Sequence, residues 1–330
     1  MKKKYHNIVN KRISFQGCEI LGGHLNTYLS YLFEEHFNLT ISDENPDYVF
    51  HSLDTNVYKI DKNKVNIFYT AEPITPDFNY FDYAIGFDYI TFKDRYLRYP
   101  LYLLGEYHDS YKKLNKPKNP KKILAEKKRF CSFVVSNGRN RDPIYEKFFK
   151  KLSNYKKVDS GGRLFNNIGG PVKDKQNFIK KYKFNIAFEN SKMSGYTTEK
   201  LVEAMAVNTM PIYFGDPHVH TEFNDKSFII LKSEEDIDRV IEQIIKLDQD
   251  DDAYLKMMSE PWIDKKTNHH TNEKHLLDFF EKIFKQEPIK AKRISNYGPF
   301  KPNWLYFKSK ILLKLTIEKY LIKIKKLVVF

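Results

Sequence analysis

The sequence predicts an α/β protein of two domains that face each other across a cleft, followed by a basic amphipathic tail. Three observations predict it. The 330 residues exceed what one ordinary core accommodates. Short apolar runs alternate with segments of helical spacing, which is the pattern of strands joined by crossover helices. A basic, proline-broken stretch, KKLNKPKNPKKILAEKKR at 112–129, interrupts that alternation once and reads as a linker or exposed loop. The expected domains are therefore 1–115, 116–290 and the tail 291–330.

The elements follow in order. Leu25, Leu29, Leu32 and Phe33 share one helical face over 24–37. Residues 47–51 (DYVFH), 65–70 (VNIFYT) and 83–87 (YAIGF) are short apolar runs of buried-strand type, and Pro73 and Pro76 stop the second. Beyond the linker, 130–136 (FCSFVVS) runs into the turn signal Asn137-Gly138. A helix is expected over 142–152, a strand over 184–188, a helix over 198–207 and a strand over 210–214. A further strand at 228–231 and a helix at 234–247 complete the second region. Strand, helix, strand in succession implies right-handed crossovers and parallel sheets. Met257-Met258 and Phe279-Phe280 are core candidates. The 23 Tyr and 26 Phe are read as core rather than as a ligand-stacking surface.

Charge is unevenly placed. Residues 291–330 hold ten Lys or Arg against one acid, Glu318, so nine of the fourteen net positive charges sit in the tail. From Lys308 onward Leu313, Ile317, Tyr320, Ile324 and Leu327 fall on one helical face, and Trp304, Tyr306 and Phe307 precede them as interfacial anchors. The expectation is a helix lying on an anionic membrane surface. Cys18 and Cys131 offer neither a disulfide framework nor metal-ligand spacing. The first sixteen residues lack the apolar core of a signal peptide, and no run is long enough to span a bilayer. A cytoplasmic protein is expected.

Two stretches have the residue types for chemistry. In 184–217, FNIAFENSKMSGYTTEKLVEAMAVNTMPIYFGDP, a strand enters a polar loop with Gly195, and the loop enters a helix whose first turn carries Glu199 and Lys200. Ligands of doubly wound domains sit at strand C-terminal ends, and a helix N-terminus there offers N–H groups to an anion. Lys200 adds a full charge, so the place suits a diphosphate. No Walker or Rossmann glycine pattern accompanies it, which counts against ATP and NAD. In 68–76, FYTAEPITP, Glu72 follows a buried strand on a proline-stiffened loop, where a carboxylate can accept a proton. On spacing alone, each of these residues reads first as a solvated surface charge.

Phe184 to Asn190, Gly195 to Lys200 and Pro211 to Pro217 together resemble the donor-site signature of the α-1,3-fucosyltransferases of glycosyltransferase family 10, bacterial members above all. The resemblance continues through Phe68 to Glu72, Phe81 to Phe87, Asp94 to Pro100, Phe133 to Asn137 and Asp159 to Arg163, roughly residues 65 to 262. It implies a GT-B fold of two Rossmann-like domains, the first taking the acceptor and the second GDP-fucose. It implies Glu72 as general base, and Asn190, Tyr196, Glu199 and Lys200 as the donor-binding set. Lys200 would meet the phosphates, and Glu199 the fucose or its developing charge. Where the family carries an arginine, three residues before Phe148, this chain has Tyr145, so Arg139 or Arg141 is expected to make the phosphate contact. The implied reaction is inverting transfer of L-fucose, α-1,3, to a GlcNAc-containing acceptor of N-acetyllactosamine or Lewis type. It would serve lipopolysaccharide or surface-glycan synthesis at the inner face of a bacterial membrane, with no metal required.

Other patterns are weaker. Asp248-Gln249-Asp250 spells a metal-binding triplet, yet lies between two helices, where Asp250 to Asp252 suit helix capping. Adjacent His269 and His270 cannot share a helix face. The alternatives are another GT-B transferase with a different nucleotide sugar and, more distantly, a nucleic-acid-binding protein using the tail. No RRM, KH or helix-turn-helix pattern supports the latter, so no nucleic-acid partner is expected.

Overall fold

The computed structural model describes residue 8 and residues 11–16, 23–136, 142–263, 272–294 and 312–317. The chain forms two compact units, Met1–Arg293 and Ile294–Phe330. The first unit holds two parallel sheets.

The first sheet contains β1 (Lys11–Gln16), β2 (Leu39–Ile41), β3 (Tyr48–His51), β4 (Val65–Tyr69), β5 (Tyr83–Gly86) and β6 (Tyr96–Arg98), in the order β2-β1-β3-β4-β5-β6. The second contains β7 (Arg129–Phe133), β8 (Val158–Ser160), β9 (Tyr182–Phe188), β10 (Met210–Phe214) and β11 (Ile229–Ile230), in the order β11-β10-β9-β7-β8. Every pairing is parallel. A parallel sheet must be covered on both faces, which is why β3, β4, β5 and β10 are buried at every position. Both strand orders reverse once, at β1/β3 and at β7/β9. Crevices for ligands open at such switch points, beyond the strand C-termini.

The helices that cover the sheets are α1 (Gly23–His36), α2 (Gly105–Lys113), α3 (Pro120–Glu126), α4 (Ile144–Tyr155), α5 (Lys175–Ile179), α6 (Glu199–Ala206), α7 (Ile237–Gln249), α8 (Asp251–Ser259), α9 (Glu273–Phe284) and α10 (Pro288–Ala291). The stretch expected as a bare linker contains the end of α2 and all of α3. Asn119 caps α3 by accepting from the Lys122 N–H, and Pro120 occupies its first turn, where a missing N–H costs nothing. Asp250 accepts from the Ala253 N–H at 3.0 Å, so the acidic triplet does cap a helix.

One helix leaves its sequence neighbours. Residues up to 290 were expected with the second domain, yet α9 packs on the first sheet. Phe280 and Phe284 meet Phe33 edge-on at 4.8 and 5.5 Å, and Phe284 meets Tyr48 at 5.0 Å. Tyr48 donates to the Gln286 carbonyl, and Tyr28 donates to Glu273. A capping box between Asn272 and His275 starts the helix. The chain thus closes back over the sheet it began with. Met258 and Phe280 are fully buried, and Phe279 nearly so.

In the second unit, 312–317 is helical and Leu312, Leu313, Leu315 and Ile317 are exposed. Trp304, Tyr306, Phe307, Tyr320, Ile324 and Leu327 lie outside the described residues. Among the described residues no helix is long and apolar enough to cross a membrane.

Candidate active site

The strand β9 ends at Phe188, and the two residues after it, Glu189 and Asn190, emerge at the β7/β9 switch point. Glu189 is completely buried. Its carboxylate accepts from the Thr198 N–H and from the Thr198 hydroxyl, both at 2.7 Å, and from Lys200 Nζ at 3.1 Å. Thr198 in turn caps α6, its hydroxyl accepting from the Lys200 N–H. One acid therefore fixes the end of the loop, the start of the helix and the lysine that the helix presents. Sequence reasoning quoted Glu189 within the motif and gave it no role.

Lys200 also donates to Asn190 Oδ1 at 3.4 Å. Burial alone would push its ammonium's pKa down, but the carboxylates of Glu189 and then Glu199 outweigh that and hold it above the ordinary lysine range. It is a fixed positive charge. Burial pushes Glu189 up, with Lys200 opposing. Burial would also push Glu199 up, but Lys200 and Lys175 bring it below the usual carboxylate range, so it is held ionised. Not all of the helix N–H groups remain available to a ligand, since Thr198 N–H and Lys200 N–H are already engaged.

The loop between them is pinned to the first sheet. Gly195 has φ +79°, a left-handed conformation, and a Cβ there would collide with the carbonyl oxygen of Phe87 just beyond β5. Its N–H donates to Asp216 at 2.9 Å, and its carbonyl accepts from Arg98 of β6 at 3.2 Å. Arg98 also makes a two-pronged ion pair with Glu222, at 2.5 and 2.9 Å, and stacks on Tyr89 at 4.2 Å. Tyr89 reaches Thr221 at 2.9 Å. First-sheet residues thus grip the loop of the second.

Tyr196, next in the loop, is buried and meets Phe87 edge-on at 5.1 Å. Burial raises its phenol's pKa. Glu189 and Glu72 raise it further, while Lys200 opposes them. Glu72 of the first half and Lys200 of the second therefore both act on one side chain. Glu72 stands three residues past β4, half-buried, its N–H donating to the Thr70 hydroxyl at 3.0 Å. The structure brings Asn190, Tyr196, Glu199 and Lys200 together and sets Glu72 within electrostatic range of Tyr196.

Tyr145 is buried at the start of α4, donates to the Phe188 carbonyl at 2.7 Å and lies close enough to Lys200 to influence its charge. Arg139 and Arg141 lie outside the described residues. Among the described residues no group of three or more His, Cys, Asp or Glu is placed to hold a metal ion.

This geometry coincides with the matches to known proteins. Residues 14–105 match the family described as "Alpha-(1,3)-fucosyltransferase FucT N-terminal domain", and residues 124–285 match "Glycosyltransferase family 10 (fucosyltransferase) C-term". The chain belongs to glycosyltransferase family 10. A solved structure of an α1,3-fucosyltransferase with GDP-fucose superposes with a TM-score of 0.69 at 30% identity, covering 84% of this chain and 91% of that one. The fold is accordingly GT-B. The α-(1,3)-fucosyltransferase FucT of Helicobacter pylori is 34% identical over 304 residues, which is 80% of this chain and 63% of the relative. The chain thus spans just under two thirds of that relative's length. A 3-galactosyl-N-acetylglucosaminide 4-alpha-L-fucosyltransferase of Bos taurus is 31% identical over 135 residues, 40% of this chain and 36% of the relative.

The Gly195 contact predicts a measurable difference. Gly169 is also left-handed, at φ +90°, but has open space around its Cβ. Gly169→Ala should therefore report backbone strain alone, about 1–2 kcal/mol. Gly195→Ala should cost at least about 1 kcal/mol more, because the Phe87 carbonyl has to move. Urea unfolding midpoints of the two variants would test this, and equal midpoints would contradict it.

Proposed function

We propose that the chain is an inverting fucosyltransferase that moves L-fucose from GDP-fucose to a hydroxyl of a GlcNAc-containing glycan, α-1,3 in linkage. The observation that carries this reading is the fixed charge of Lys200, built on buried Glu189, with Tyr196 under the joint influence of Lys200 and Glu72. The family and the GDP-fucose bound to its solved relative support it.

In this reading Glu72 takes the proton of an acceptor hydroxyl while that oxygen attacks the anomeric carbon of fucose from the face opposite the leaving group. The bond from that carbon to the diphosphate oxygen breaks, and its electron pair leaves with GDP. Positive charge builds on the sugar ring as the bond stretches, and ionised Glu199 offsets it. Negative charge builds on the diphosphate, and Lys200 receives it. A lysine already held charged needs no reorganisation at that moment. Asn190 and Tyr196 orient the donor, and Arg139 or Arg141 assists at the phosphates. No metal is needed, since cationic side chains supply the neutralising charge.

Thermal shift with GDP, UDP and ADP tests the donor. A response to GDP alone is expected, of about 2.7 kcal/mol at a hundredfold excess over Kd. A response to UDP instead would favour a GT-B transferase for another nucleotide sugar. Glu72→Gln should lower kcat by about 10²- to 10⁴-fold and leave GDP-fucose binding unchanged. Equal kcat would remove Glu72 from the base role. Product linkage read by NMR separates α-1,3 from α-1,4 transfer.

The tail gives the same reading a location. Its nine net positive charges and the exposed Leu312, Leu313, Leu315 and Ile317 suit an anionic bilayer surface. The enzyme would then work at the cytoplasmic face of a bacterial membrane, on lipid-linked lipopolysaccharide or surface-glycan precursors. Removing 304–330 should abolish pelleting with anionic vesicles and preserve activity on soluble acceptors. Unchanged pelleting would refute the anchor.

A further inference from the structure

We propose that a cavity of about 460 Å³ beside Glu72 is the subsite for a neutral pyranose of the acceptor, with Tyr31 as its stacking platform. This deepens, and rests on, the fucosyltransferase reading.

Four tyrosines line the cavity, Tyr28 and Tyr31 from α1, Tyr69 at the end of β4 and Tyr107 from α2, together with Glu106. Its size is within the range of small-ligand clefts. Its position ties it to both halves of the site. Ala71 forms part of the wall, and Glu72 is the next residue. On the other side, Tyr107 lies close enough to Glu199 and Lys200 for their charges to act on its phenol. A sugar seated here would place its neighbouring ring beside the carboxylate that takes the proton.

The lining chemistry selects the occupant. A pyranose has a C–H face that packs on an aromatic ring and an edge of hydroxyls that pair with phenols and carboxylates. Tyr31 offers such a ring, since it is 63% exposed. The fold does not need it, because α1 buries Leu29, Leu32 and Phe33 instead. Charge decides the remaining question. The described lining contains Glu106 and no Lys or Arg. Behind it Glu273 accepts from the Tyr28 hydroxyl at 3.1 Å, and Asp109 also raises the Tyr28 phenol's pKa. Asp109 is itself paired with Lys112, so Glu106 and Glu273 are the acids that disfavour phosphates and sugar carboxylates here. The cavity wall thus carries an acid and offers no cation to a phosphate, and it suits a neutral glycan better than a nucleotide.

The test uses the full chain saturated with GDP. N-acetyllactosamine is the neutral probe and its sialylated form the anionic one, with binding read by saturation-transfer NMR and GDP affinity by calorimetry. Tyr31→Ala should weaken N-acetyllactosamine binding about tenfold, and Tyr31→Phe should stay within about twofold. The parent should bind the sialylated sugar more weakly than the neutral one, and Glu106→Gln should narrow that gap. GDP affinity should be the same in all. Undiminished binding in Tyr31→Ala, or equal binding of the two sugars by the parent, would overturn the proposal. If GDP bound to none of the proteins while sugar binding still depended on Tyr31, the donor reading would fail and the subsite would stand.

Discussion

The site depends on a close approach of main chain to main chain. The loop carrying Tyr196 and leading to Lys200 belongs to the second sheet, yet its Gly195 lies against the Phe87 carbonyl of the first. Only a residue without a side chain fits there, and only glycine adopts that backbone conformation without strain. Asp216 holds the loop from its own side, and Arg98 holds it from the other. The spacing between the two halves of the chemistry is thus set by backbone contact, with side chains locking it. Glu72, two strands away from Arg98 in the same sheet, inherits that spacing.

A second constraint is electrostatic. A carboxylate as deeply buried as Glu189 is costly unless paired, and here every partner belongs to the site: two groups of Thr198 and the ammonium of Lys200. The cost of burial is offset only when the loop and α6 take this arrangement. The acid therefore specifies the local conformation as much as it stabilises it. It also explains how a lysine with little exposed surface keeps its charge. An unpaired buried lysine would tend to lose its proton, and a neutral amine could not play the part proposed for Lys200 at a departing diphosphate.

Much of this was legible from the residues and some was not. The apolar runs at 48–51, 65–69 and 210–214 gave their strands away, because a parallel strand buried on both faces has no polar alternation to confuse it. α3 was hidden by its lysines, and Pro120 looked like a breaker when it was a starter. Of α9 only Phe279 and Phe280 stand out in the sequence, as core candidates, and their destination does not: nothing local says that Phe280 meets Phe33 rather than its nearer neighbours. The loop and helix carrying Asn190, Tyr196, Glu199 and Lys200 were readable from the motif, whereas Glu189 was passed over because an acid after a strand usually faces water. Arg98 has no role legible in the sequence either, since a pairing with Glu222, 124 positions away, has no sequence signature.

The Arg98 cluster also constrains how the cleft can move. A motion that separated the two sheets would have to break it. Arg98 and Glu222 are both mostly buried, so such a separation would give up a two-pronged ion pair and the grip on the Gly195 carbonyl together. Tyr89 adds its own bonds to the same side. Motion that breaks this cluster is therefore disfavoured against motion that pivots about it.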